Sequence, residues 1–382
     1  MNEYMMILTE EYGWIPILDL KVGNIVYSLD CKTNEVTKSS VKDIIYTDGE
    51  DYPYLIQFQN RSFKDIILPT VKYPIYNRFG KFEGFFKAQD IYDNKIDDIS
   101  HKYIPKKIDW KGYDIVDEEG VLTIPKLRED LLECDAMRKY ENVSGELKLP
   151  CNAFLDFTAL FLNLGSIYPK LKKLFIYDVR KYAANETEDI LKELGIEYEK
   201  LIVDGNYHDK LFIISDLRMY QAFEDCYDTF TFKLPYIVRQ LPKKYLFYFY
   251  NRFYHYSGRN FSNYAMVYDK KFKQVFQEFL TQSEKLALDL NEMLIKIGLD
   301  GIIYIDNDDI WLKYNNGRLM LKEPSRQMYT VDVIKSRNFF MDSRFLRYRK
   351  VKYEGKIVSL KLEGEYNTIY VSQQGKSHWI CC

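Results

Sequence analysis

One pattern recurs along this 382-residue chain. An apolar run of helical length closes on a glycine, and a strand-like run, an amphipathic helix and more strand-like runs follow. The first copy opens with residues 154–164 and closes at Gly165-Ser166. A strand-like 173–179 comes next. In the helix after it Ala183, Ile190, Leu191 and Leu194 form one face, Glu186, Glu188 and Lys192 lie off it, and Gly195 caps it. Strand-like runs at 198–203 and 211–215 complete the copy. The second opens after Pro242 with residues 243–256, closing at Ser257-Gly258. It continues through a strand-like 264–267, a helical 270–297 capped by Gly298, and strands at 301–305 and 309–314. The two copies lie about 95 residues apart.

The flanks read differently. Residues 14–90 are short alternating apolar runs broken by turn signals, Val22-Gly23-Asn24, Asp48-Gly49-Glu50 and Arg78-Phe79-Gly80-Lys81, which is an antiparallel β pattern. Each chain end alone presents an apolar strand face that only the other can cover. Strands in 14–29 are therefore expected beside strands in 356–371. The first twenty residues carry Glu3, Glu10, Glu11 and Asp19 without a sustained apolar core, and no run of about 18 apolar residues occurs. Neither a signal peptide nor a membrane span is expected, and the location read from this is cytoplasmic. Cys31, Cys134, Cys151, Cys226, Cys381 and Cys382 contain no Cys-x-x-Cys pair and read as reduced thiols. No metal or other cofactor is expected: His101, His208, His255 and His378 lack ligand spacing, and the acidic stretch 300–309 lacks the order of an EF-hand loop, its Asp306 to Asp309 reading as a solvated hairpin turn.

The net charge of −2 is low for a nucleic-acid binder, but distribution matters more than the sum. Residues 230–268 hold Lys233, Arg239, Lys243, Lys244, Arg252 and Arg259 and no Asp or Glu, while residues 335–352 hold Arg337, Arg344, Arg347 and Arg349 against a lone Asp342. Acid gathers instead in 90–98, 114–119 and 129–146. In 245–264 half the residues are aromatic, interleaved with Arg252, His255 and Arg259. Phe247, Tyr250 and Tyr254 share one helical face, expected to pack inward, with the basic positions pointing outward toward nucleic acid.

Two blocks of words carry a family resemblance. Residues 7–30, Ile-Leu-Thr-Glu-Glu-Tyr-Gly-Trp-Ile-Pro-Ile-Leu-Asp-Leu-Lys-Val-Gly-Asn-Ile-Val-Tyr-Ser-Leu-Asp, resemble the opening block of inteins, and residues 366–382, ending Gly-Lys-Ser-His-Trp-Ile-Cys-Cys, resemble their closing block. Between them, Phe157-Thr158-Ala159-Leu160-Phe161-Leu162-Asn163-Leu164-Gly165-Ser166, with a poorer second match at 248–259, resembles the LAGLIDADG homing endonucleases often inserted in inteins. The resemblance implies an α+β fold. A β-rich Hint-like domain is built from both chain ends, with an inserted pseudo-two-fold αββαββα domain over 147–327 flanked by 1–146 and 328–382. It also implies chemistry that these residues do not supply. The splicing nucleophile falls just before Met1, the activating His position is nearest Lys72, and the chain closes on Cys382 with no Asn to cyclise. The carboxylates that would hold a catalytic metal at the feet of the two helices fall at Leu164 and at Tyr256 or Ser257, which offer no carboxylate oxygen.

The expectation is therefore a non-enzymatic, sequence-specific binder of double-stranded DNA, derived from an intein-encoded homing endonuclease and serving as a transcriptional or phage regulator. Its DNA contacts are expected from Lys233, Arg239, Lys243, Lys244, Arg252, His255, Arg259, Arg337, Arg344, Arg347 and Arg349. The alternatives are an active endonuclease using displaced carboxylates and a protein-binding or structural module. The chain is expected to be a monomer, with room for a protein partner.

Overall fold

The computed structural model describes residues 1–60, 63–96, 101–105, 108–132, 145–178, 185–202, 210–228, 231–257, 275–306, 311–313, 319–321, 328–335, 339–340, 347–364, 367–373 and 376–382. The fold is α+β, and the strand registers described below are antiparallel. Two compact units are present: Met1–Trp110 with Phe272–Glu278 and Ala287–Cys382, and Lys111–Lys271 with Phe279–Leu286. The division thus falls at Trp110 and again within the helix Glu284–Lys296.

The first unit is dominated by an eleven-stranded sheet that draws on both chain ends. Met6–Thr9 turns back on Gly13–Pro16, and the Thr9 hydroxyl donates to the Gly13 carbonyl at 2.9 Å to close the turn. The same first strand pairs on its other side with Thr368–Gln373, Met6 opposite Ser372 and Ile7 opposite Val371. Thr368 Oγ1 accepts from the Leu29 amide at 2.8 Å and lies 3.1 Å from Ser28 Oγ. Strands from the two ends therefore share one sheet, as their apolar faces require. The direct pairings differ from the expected ones: Met6–Thr9 takes Thr368–Gln373, and Ile25–Asp30 reaches that strand through the Thr368 hydroxyl. Lys356–Leu362 pairs with the far part of Glu35–Asp48, because only Glu35 to Ser40 of that 14-residue strand faces Ile25–Asp30, and Val41 to Asp48 runs on beyond it. Val26, Ile56, Phe58, Ile75, Val358 and Val371 fill the core beneath. Arg347–Val351, Leu55–Asn60 and Phe63–Ile67 form a separate three-stranded sheet.

The second unit holds the first repeat. Its order is helix Cys151–Leu164, strands Gly165–Tyr168 and Lys173–Asp178, helix Glu186–Leu194, strands Tyr198–Ile202 and Lys210–Ile214, and helix Leu217–Phe223. In the sheet the fourth strand lies between the second and the third. Gly165 closes the opening helix, where a Cβ would meet the Phe161 carbonyl at 2.5 Å. Gly195, at φ 65°, closes the next in the left-handed conformation that glycine adopts without steric cost. The second repeat runs from helix Lys243–Ser257 through strand Val275–Thr281, helix Glu284–Lys296, strand Leu299–Asp306, the hairpin Trp311–Lys313 with Leu319–Leu321, and strand Met328–Lys335. The sheet order Val275–Thr281, Met328–Lys335, Leu299–Asp306 again places the last strand between its two predecessors.

The expected helix over 270–297 is a strand followed by a helix. Val275–Thr281 is rich in aromatic and aliphatic residues, and Ser283 starts the helix by accepting the Leu286 amide at 3.1 Å. The strand expected at 264–267 lies outside the described residues.

Candidate nucleic-acid interface

The two long helices run side by side in the same direction. Near their starts, the Lys244 ammonium lies close enough to Cys151 to moderate a thiol that burial pushes up to about 12. One turn on, Tyr248 OH donates to both oxygens of Asp156 at 3.1 Å, and Arg252 Nε donates to Asp156 Oδ1 at 2.5 Å. Arg252 Nη2 continues to Tyr256 OH at 2.8 Å and Glu186 Oε1 at 3.5 Å, and Tyr256 donates to Glu186 at 2.7 Å. This direction puts Leu164 and Tyr256 at the same end of the pair. Burial raises the Asp156 carboxyl above the usual carboxylate range, against the pull of Arg252 and Tyr248. Burial and Asp156 together push the Tyr248 hydroxyl up to about 12. Among the described residues, no group of three His, Cys, Asp or Glu side chains is arranged to hold a metal ion.

The expected DNA-contacting residues divide. Lys243, Lys244, His255, Arg347 and Arg349 are exposed. Lys244 Nζ stands 4.5 Å over the Tyr245 ring, and Arg349 Nε donates to Gln57 at 3.0 Å. Lys233 is half-buried, and Arg239 is 5% exposed, its guanidinium 6.0 Å from the Tyr236 ring. Arg252 belongs to the ionic network rather than pointing outward. Arg259, Arg337 and Arg344 lie outside the described residues, as does the Ser257 side chain. The expected inward face of the second helix is met in part. Phe247 is 50% exposed, and the buried positions are Tyr245, Leu246, Phe249, Tyr250 and Phe253; Tyr250, Phe253 and the half-buried Tyr254 pack against Phe279. Spacing therefore found Tyr250 and Tyr254, which meet Phe279, and failed at Phe247.

Met1, Lys72 and Cys382 come together in the first unit. The Met1 amine donates to the Val358 carbonyl at 2.9 Å, and burial lowers it to about 6 while nearby Cys382 and Asp65 pull it up. Lys72 opposes Cys381 across the strand pair Lys72–Asn77 and Lys376–Cys381. Behind them stands a cluster the sequence does not announce. Asp65 Oδ2 lies 2.7 Å from His378 Nε2 and accepts from Tyr73 OH at 2.7 Å, and all three residues are fully buried. Burial first, then Asp65, raises the Tyr73 hydroxyl well above its ordinary value. These groups sit on three strands drawn from opposite chain ends, so no local spacing could have found them.

The outward face of the first repeat's sheet is equally unforeseen. Ile167, Leu174, Ile176, Phe212 and Ile214 are buried beneath it. On the other side one row across the strands reads Ser166, Phe175, Ile213, Glu199, and the next reads Tyr177, Leu211, Leu201. Tyr168 pairs with Lys173 at the sheet's end. Tyr168, Tyr177 and Leu201 are 53%, 44% and 50% exposed. These positions carry no Arg, Asn or Gln.

No protein-family model and no curated protein match the chain. Among solved structures it is similar to the homing endonuclease I-DmoI in complex with DNA and Mn, at 13% identity over 48% of this chain and 89% of that one, with a TM-score of 0.29. It is also similar to full-length DUF199/WhiA from Thermatoga maritima, at 12% identity over 49% of this chain and 51% of that one, with a TM-score of 0.27. Likenesses at this level fix neither family nor activity.

Proposed function

We propose that this chain is a sequence-specific double-stranded DNA-binding protein on a homing-endonuclease scaffold, without cleavage or splicing activity, acting as a transcriptional or phage regulator. The observation that carries this reading is the duplicated helix–strand order, with the last strand of each copy between its two predecessors, joined to Leu164 and Tyr256 where catalytic carboxylates would end the helices. I-DmoI, solved with DNA, is a neighbour consistent with it. The Hint-like reading of the outer β unit, with boundaries at 146/147 and 327/328, belongs to the same proposal, as do a monomeric state and a cytoplasmic location.

Two exposed groups serve the DNA. Lys243, Lys244 and His255 lie along the second long helix. Arg347 and Arg349 lie on one face of the three-stranded sheet beside Gln59, a set able to contact phosphates and to pair with guanine and adenine edges. Selection of bound sequences from a random duplex pool at moderate salt tests the reading. It requires enrichment of one sequence family, and failure to enrich any would end it.

The displaced-carboxylate nuclease has Asp156 as its nearest candidate. Arg252 and Tyr248 already occupy that carboxylate, which disfavours metal binding there. The protein-binding alternative draws on the apolar outward face of the first repeat's sheet.

A further inference from the structure

We infer that the outward face of the first repeat's sheet is a stacking platform for single-stranded nucleic acid, separate from the cations assigned to the duplex. Three aromatic rings stand on two neighbouring strands of an open four-stranded antiparallel sheet. Tyr168 is on Gly165–Tyr168, and Phe175 and Tyr177, two residues apart and so on one side, are on Lys173–Asp178. The Tyr168 and Phe175 rings are 5.5 Å apart and tilted by 56°, a tilted pairing that aromatic rings favour, in which neither ring lies flat over the other. Residues along a strand rise by about 3.3 Å each, so Phe175 and Tyr177 are separated by about 6.6 Å, close to twice the thickness of a base. An unpaired base presents a π-face to such rings whatever its identity.

Charge places the backbone. Residues 165–177 contain no Asp or Glu, and the turn that links the two strands carries Lys170, exposed, and ends at Lys173 beside Tyr168. Lys172 is turned away toward the Tyr220 ring, 5.8 Å from its centroid. Lys170 and Lys173 thus stand at the end of the platform where Tyr168 lies, positioned to hold the phosphates of a strand whose bases cross to Phe175 and Tyr177. A duplex fits this chemistry less well: its bases hide their faces, and the outward face offers their edges only Ser166, Lys173 and Glu199 among aromatic and aliphatic side chains. An apolar protein partner would use Leu201, Leu211 and Ile213, but gains nothing from lysines at the aromatic end.

Fluorescence anisotropy of a labelled twelve-nucleotide single strand, mixed in sequence, tests the inference on the full chain, with the same sequence as a duplex in parallel. Y168A with Y177A should weaken single-strand binding by at least about tenfold, since each stacked base lost to alanine carries that much. Y168F with Y177F should retain it, because the rings survive. Lys170→Ala should lower the slope of log affinity against log salt by about 0.7, one phosphate on a single strand. Duplex affinity should be unaffected by all three. Absence of single-strand binding, or binding indifferent to the loss of both rings, overturns the inference while leaving duplex recognition standing. Equal loss of single-strand and duplex binding overturns it as well. Concentration-dependent self-association abolished by Y168A with Y177A, without single-strand binding, assigns the face to protein instead.

Discussion

Asp65 and Asp156 hold the same functional group in opposite settings. Asp65 is enclosed among strands from both chain ends, with His378 and Tyr73 as its neighbours and no exposed surface. Asp156 sits at the edge of the helix pair, and the Arg252 side chain that holds it is 31% exposed. Where water is excluded, a carboxylate and its partners become a fixed part of the fold, because separating them leaves an uncompensated polar group. At the edge, water shares the load, and the same chemistry positions a helix without deciding whether the unit folds.

Three changes test this contrast at decreasing size. Asp65→Ala removes the fully buried carboxylate that lies 2.7 Å from His378 and accepts from the Tyr73 hydroxyl, and should cost about 3–5 kcal/mol of unfolding free energy, read from the urea midpoint. A small loss would place Asp65 in contact with water. Arg252→Ala leaves Asp156 and Glu186 facing each other without their cation and should cost about 1–3 kcal/mol, with lysine a poor substitute because it cannot reach Asp156 and Tyr256 from one planar group. Unchanged stability with weakened DNA binding would return Arg252 to the interface. Arg347→Ala with Arg349→Ala should change stability by less than about 0.5 kcal/mol per site. The pair should also lower the salt dependence of duplex binding by about 0.9 in log–log slope for each phosphate that the arginines no longer neutralise.

Acid separates Asp156 from a second carboxylate, Glu188. Burial raises the folded carboxyl of Asp156, so its ionised form opposes folding at neutral pH, and that opposition fades as pH falls through the raised value. Glu188 behaves in the opposite sense. Its hydrogen bonds with Lys200 and Lys192 hold it at about 2 against an ordinary 4.5, so its contribution is present above 4.5 and is lost as pH falls toward 2. Glu188→Gln should flatten the decline in stability between those limits, whereas Asp156→Asn should leave that decline in place.

Legibility followed the range of the interaction. Cys151–Leu164 was readable because its apolar run closes at Gly165, and Glu186–Leu194 because Gly195 takes a left-handed turn that the sequence marks. Val275–Thr281 was not, since its spacing continues smoothly into Glu284–Lys296 and only Ser283 signals the break. The direction of Arg252 depends on Asp156 and Glu186, more than sixty residues away, and residues 245–264 alone favoured the solvent. The Asp65 and His378 pairing, and the aromatic face of the first sheet, exist only once strands are set side by side.

Duplex recognition without chemistry is the central claim. The duplex enriched from a random pool should be incubated with the full chain across a salt series, with and without Mg²⁺ or Mn²⁺, and followed for both binding and strand integrity. The account predicts binding to one sequence family, weakening steeply as salt rises because Lys and Arg side chains displace counterions, and intact strands throughout. Metal-dependent nicking of that duplex, or failure of any duplex to be enriched, would contradict it.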